Sequence, residues 1–156
     1  MKTTHTSNTP ANPERAQWMG LLAKSPPDVL AQAVDQFGDL PSFTWLRRPE
    51  IGLAMVRART GGTGTQFNLG EMSVTRCALR LATGEMGVAY VAGRNTRQAE
   101  WAALFDALMQ SDASESVRQT VLRPIEAALA KRLAETRSQA LATKVDFITM
   151  VRGEDA

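Results

Sequence analysis

Ile51-Gly52-Leu53-Ala54-Met55-Val56-Arg57-Ala58-Arg59, then Gly61-Gly62-Thr63-Gly64, then Phe67 to Leu81 and Met86 to Tyr90 are the residues that decide the fold. In the first segment Ala54, Val56 and Ala58 fall on one side of an extended chain, and Met55, Arg57 and Arg59 on the other. That period of two is the signature of a β-strand. The four-residue glycine segment is a loop. Past it, Cys77, Leu79 and Leu81 alternate with Arg76, Ala78 and Arg80, and Thr83-Gly84-Glu85 is a hairpin turn into Met86, Val88 and Tyr90. Upstream, Phe43 to Arg47 is a further strand, set off by a turn at Arg48-Pro49-Glu50. Short connections between consecutive strands predict an antiparallel sheet of about four strands.

Helices flank this sheet. Asn12-Pro13 is an N-cap followed by proline at the first helical position, and Trp18, Leu21 and Leu22 give residues 13–24 an apolar stripe. Ser25, with Asp28 three residues on, predicts a capped second helix that carries Leu30, Ala33, Val34 and Phe37 and stops at Gly38. Asn95 caps a third, with Trp101, Leu104, Phe105 and Leu108 facing inward. Ser114 caps a further segment, and Pro124 opens a helix with Ile125, Ala128, Leu129 and Leu133. Val145 to Gly153 is apolar and partly alternating, a short terminal strand or arm expected to be buried. The layout is α+β: N-terminal helices, antiparallel sheet, C-terminal helices. Residues 1–12 read as a flexible tail and 13–156 as a single domain.

The 156-residue length and the 44% hydrophobic share suit one domain with its own core and exclude disorder throughout. One cysteine permits no internal disulfide, and the polar opening MKTTHTSNTPANPE lacks the apolar run of a signal peptide. No segment approaches the length of a membrane span. A cytoplasmic chain with no membrane contact is expected.

Net charge is only +2, but residues 43–97 hold eight arginines against three acids. Arginine's planar fork grips phosphate or carboxylate bidentately. Arg57 and Arg59 run into the glycine loop, whose backbone N–H groups are able to form an anion nest. Were Arg76 and Arg80 on the same face, four guanidinium groups would surround it. The anion- or partner-binding candidates are therefore Arg57, Arg59, Gly61, Gly62, Thr63, Gly64, Arg76, Arg80 and Arg94. No catalytic residue is expected and no metal site: the lone histidine, His5, lies in the tail, and Cys77 sits among Leu79 and Leu81 as a core residue. A free-standing anion- or nucleic-acid-binding domain is the alternative, but stacking aromatics are sparse, with Phe67 and Tyr90 the best placed. Nucleic acid is not expected as a partner.

Taken together, Gln17-Trp18-Met19, Arg57-Ala58-Arg59, Gly61-Gly62-Thr63-Gly64, Val74-Thr75-Arg76, Arg80-Leu81, Gly93-Arg94, Asp106-Ala107-Leu108, Val145-Asp146-Phe147 and Thr149-Met150-Val151-Arg152-Gly153 occur in an order that resembles the G-subunit family (PhnG) of the carbon–phosphorus lyase system. The resemblance runs from about Arg15 to the end. It implies a subunit of a two-fold symmetric core, two copies each, with H, I and J subunits. With the H, I and L subunits it would support displacement of adenine from ATP by an alkylphosphonate, forming ribose 1-methylphosphonate 5-triphosphate. The I subunit would hold the active site, and the G subunit would favour attack by phosphonate over water. ATP and alkylphosphonate would be substrates of the complex, with no cofactor bound by this subunit alone. No catalytic residue follows from the resemblance.

Overall fold

The computed structural model describes residues 12–143. Helix α1, Pro13–Lys24, begins where Asn12 Oδ1 accepts from the Arg15 N–H at 3.0 Å. Helix α2 is Pro27–Phe37. Its N-cap is Pro26, which offers no side-chain acceptor; Ser25, expected as the cap, instead turns back and donates its hydroxyl to Leu22 O at 2.8 Å, closing α1. Gly38, at φ +84°, ends α2 in a conformation that side chains with a Cβ avoid.

Strands β1, Phe43–Arg59, β2, Gln66–Leu81, and β3, Met86–Ala92, form a three-stranded antiparallel meander in the order β1-β2-β3. Among the described residues the sheet has one strand fewer than expected because Arg48-Pro49-Glu50 is not a turn. β1 runs through it, with register shifts between Trp45 and Arg47 and between Arg47 and Glu50. The irregularity absorbs Pro49, which has no N–H for a ladder and sits on an edge strand where none is needed. The expected terminal strand or arm lies outside the described residues, as do all but the last residue of the expected tail.

Helix α3, Thr96–Leu108, is the centre of the molecule. Asn95 caps it by accepting from the Gln98 N–H at 3.0 Å. Far from showing one apolar stripe, it is buried on nearly every side: Ala99, Ala102, Ala103, Leu104, Phe105, Ala107 and Leu108 are all in the core. The sheet covers one flank and α1, α2 and the C-terminal helical run cover the other. Its alanines let it lie close to β3, where a Cβ added at Gly87 would stand 1.8 Å from Ala103 O. Trp101, expected inside, is only half-buried beneath the Arg97 guanidinium, 5.0 Å from the ring centre.

A short helix α4, Ser114–Val117, a π-helical stretch, Arg118–Leu122, and helix α5, Arg123–Ala142, follow without interruption. The wide turn precedes Pro124. Proline cannot donate, and its ring crowds the carbonyl four residues back, so the Arg123 N–H reaches Arg118 O instead. Ser114 makes no cap; the Ser111 hydroxyl accepts from the Ala113 N–H at 3.2 Å. Ile125 anchors α5 in the core, and from residue 130 onward the helix is exposed, Leu133 and Leu141 included. No described helix is long and apolar enough to cross a membrane.

Candidate functional site

The three strands differ greatly in length, and the difference makes the most conspicuous feature of the surface. β3 accompanies β2 only as far as Val74, opposite Ala92. Beyond that point, among the described residues, β1 and β2 continue alone as a two-stranded ribbon, from Gly52 opposite Val74 to Arg59 opposite Gln66. At about 3.3 Å per residue the ribbon reaches roughly 25 Å from the body. On the body, Thr75, Cys77, Leu79 and Leu81 point into the core. Ile51 pairs with Thr75 and therefore shares that face. Leu53, Met55, Arg57 and Arg59 continue the same row by alternation, since the register shift between Val56 and Arg57 inserts its extra residue into β2, not β1.

Along this row the core face loses its cover. Ile51, Leu53 and Met55 are 45%, 67% and 52% exposed. The opposite side of β1 carries Gly52, Ala54, Val56 and Ala58, all small or medium apolar residues. A strand with one face in water alternates polar with apolar along its sequence; residues 51–56 are apolar on both faces, as in a strand covered on both sides. Phe67, Leu69 and Met72 of β2 are exposed as well. The arginines stand out in the sequence, whereas Ile51, Leu53 and Met55 are not among the candidates, although the unbroken apolar run 51–56 is its own signal.

The candidate residues fall into two sets. Arg57, Arg59, Gly61, Gly62, Thr63 and Gly64 come together at the ribbon tip. Gly61 and Gly62 take φ of +58° and +82°, and the Gly64 N–H donates to Thr60 O at 2.8 Å. Arg59 Nη1 donates to Gly64 O at 3.3 Å. The loop thus meets part of its hydrogen-bonding need internally, and its glycines serve first to turn the chain. A Cβ at Gly64 would lie 2.5 Å from Thr60 O.

Arg76, Arg80 and Arg94 are elsewhere. Arg76 pairs with Glu50 and Arg80 with Thr44, on the face opposite Arg57 and Arg59. Arg76 is also eight positions along β2 from Asn68, the partner of Arg57, or roughly 25 Å. Arg76 Nε donates to Glu50 Oε1 at 2.7 Å, and Arg47 Nη1 reaches the same oxygen at 3.1 Å. The hydrogen bond that Arg76 donates to Glu50, ahead of the Glu50 charge and of Tyr90, raises the Arg76 pKa further. Arg80 rests on Met86 Sδ at 3.2 Å, and Arg94 follows Gly93 in the turn from β3 to α3. The arginine surplus of residues 43–97 is therefore spread over both faces and partly neutralised. It is not one cationic patch.

The buried polar groups belong to the body. Asp106 is fully buried, and each of its oxygens accepts twice: Oδ1 from Arg15 Nε at 3.1 Å and Trp18 Nε1 at 2.9 Å, Oδ2 from Arg15 Nη2 at 2.8 Å and the Val88 N–H at 2.9 Å. This ties α1, β3 and α3 together, and the bond to Asp106 raises the Arg15 pKa. Cys77 donates to Ala99 O at 3.1 Å, and burial pushes its thiol pKa up to about 12. Such a thiol is no nucleophile at neutral pH. Buried Gln98 holds Ser25 O at 2.9 Å. Among the described residues no three His, Cys, Asp or Glu side chains cluster as a metal site would.

Fold and site together define a class: a small α+β body, internally satisfied, that carries a long apolar ribbon with two arginines at its end. Comparison with known proteins makes the class particular. The family described as "Phosphonate metabolism protein PhnG" matches residues 13–153. The chain is also 40% identical over 155 residues to the alpha-D-ribose 1-methylphosphonate 5-triphosphate synthase subunit PhnG of Rhizobium meliloti strain 1021, a match that covers 99% of each protein. The chain belongs to the PhnG family.

Proposed function

We propose that this chain is the G-type subunit of an alpha-D-ribose 1-methylphosphonate 5-triphosphate synthase. In this reading it supports the exchange of adenine on ATP for an alkylphosphonate: a phosphonate oxygen bonds to the ribose 1′ carbon as the carbon–nitrogen bond to adenine breaks and adenine leaves. Its working partners in this step are the H, I and L subunits, and with H, I and J it forms a two-fold symmetric core that holds two copies of this chain. The chemistry sits on a partner subunit, and this chain assembles and shapes the site. The observation that carries the reading is the end-to-end 40% identity with a synthase subunit of the same length. The exposed apolar ribbon supports it from the side of the structure, since such a surface suits a subunit of a larger assembly.

The test is reconstitution. Purified H, I and L subunits, ATP and methylphosphonate are incubated with and without this chain, and the products are followed by phosphorus NMR and adenine release. Ribose 1-methylphosphonate 5-triphosphate should form only in its presence. Equal product without it, or none with it, would reject the reading.

A further inference from the structure

We infer that the ribbon formed by residues 51–59 and 66–74 is a docking arm, received by an apolar groove with acidic residues at its far end on another subunit of the same synthase. The inference rests on the proposed function for the existence of that subunit, and on the geometry for the surface.

Three observations converge. First, an isolated two-stranded ribbon is at best marginally stable in water, and among the described residues nothing pairs with either long edge of this one: β1 is an edge strand throughout, and β2 has no second neighbour before Val74. Second, six large apolar side chains exposed on this chain lie within it: Ile51, Leu53, Met55, Phe67, Leu69 and Met72. They occupy both strands, so the arm is apolar along its length and not at a single spot. Monomeric surfaces rarely tolerate such a patch. Third, the charge is ordered. Arg57 and Arg59 extend the row of Ile51, Leu53 and Met55 at the tip, and neither forms an ion pair with a described residue. An apolar shaft ending in two guanidinium groups that no described carboxylate neutralises fits a groove closed by carboxylates. A second copy docking arm to arm fits poorly, because arms laid side by side in parallel would bring their arginines together.

The experiment uses the co-expressed synthase subunits with a tag on a partner. Leu53→Asp places a charge at the most exposed apolar position of the row, far from the core, so the chain stays folded; an unchanged thermal midpoint of the isolated chain verifies this. Recovery of the variant with the partner subunits should drop at least about tenfold, and Arg57→Glu with Arg59→Glu should weaken assembly in a manner that high salt mimics with the wild type. Amide exchange of 51–59 and 66–74 should slow on assembly. Wild-type recovery of Leu53→Asp, or unchanged exchange in the ribbon, overturns the arm while leaving the synthase assignment intact, provided the reconstituted mixture still makes product. An isolated wild-type chain that is dimeric by light scattering, and monomeric as Leu53→Asp, overturns it in favour of a second copy.

Discussion

At the scale of single residues, Asp106 shows how little freedom the body allows. Both oxygens accept two donors, so in Asp106→Asn either orientation of the amide turns an NH2 against two N–H groups. The Arg15 charge also loses its counter-ion. Breaking a buried, hydrogen-bonded pair of this kind costs about 3 kcal/mol. The thermal midpoint of Asp106→Asn should fall by roughly 10 °C, and a midpoint equal to that of the wild type would show that water replaces the lost bonds. Cys77 makes the opposite kind of prediction. With its pKa raised from an ordinary 9.0 to about 12, the folded thiol holds its proton where the unfolded one loses it. Stability gained from this group is complete below about pH 9 and declines as pH climbs toward 12. At pH 8 a thiol reagent such as dithionitrobenzoate should leave the native chain unlabelled and modify it fully in guanidinium. Rapid labelling of the folded chain would contradict the burial.

At the scale of elements, the ribbon should be stable only in part and independent of the rest. Gly62 sits at φ +82°, where a β-branched side chain is strained by about 1–2 kcal/mol. Gly62→Val should therefore speed amide exchange across residues 56–70 and leave the global unfolding midpoint within about 2 °C of the wild type. A large global shift would mean that the ribbon folds as one unit with the body. The elements also show what could be read from sequence. Asn12 and Asn95 were legible as caps because each must satisfy an orphan N–H locally, and each does. The alternation of 51–59 was legible for the same reason. Arg48-Pro49-Glu50 was not, because a bulge on an edge strand and a turn share the same proline signal. Nor could alternation within each strand tell whether Arg57 and Arg76 share a face. That depends on which residues pair across the hairpin, and Ile51 opposite Thr75 with Glu50 opposite Arg76 decides it against them. Gly87 likewise reveals its role only when α3 is laid on it.

At the scale of the whole molecule, burial divides the chain unevenly. Among the described residues the core lies in the helices, at Met109 just after α3, in β2 from Thr75 onward, and in β3; none of it lies between positions 51 and 74. The free energy of folding is therefore gathered in the body, since burial of apolar side chains supplies most of it. Leu53 and Ser73 face each other across the ladder. Replacing residues 54–72 with Asn-Gly would join them by a two-residue hairpin loop of the kind that suits the right-handed twist of the strands. The shortened chain should fold cooperatively, with a thermal midpoint within about 5 °C of the parent and greater solubility, because it has lost exposed apolar surface and no core. Added to the other synthase subunits, it should neither assemble nor support product formation. A shortened chain that does not fold would place part of the folding energy in the ribbon, against the distribution of burial. One that folds and still yields full activity would make the ribbon dispensable and confine the function of this subunit to its helical body.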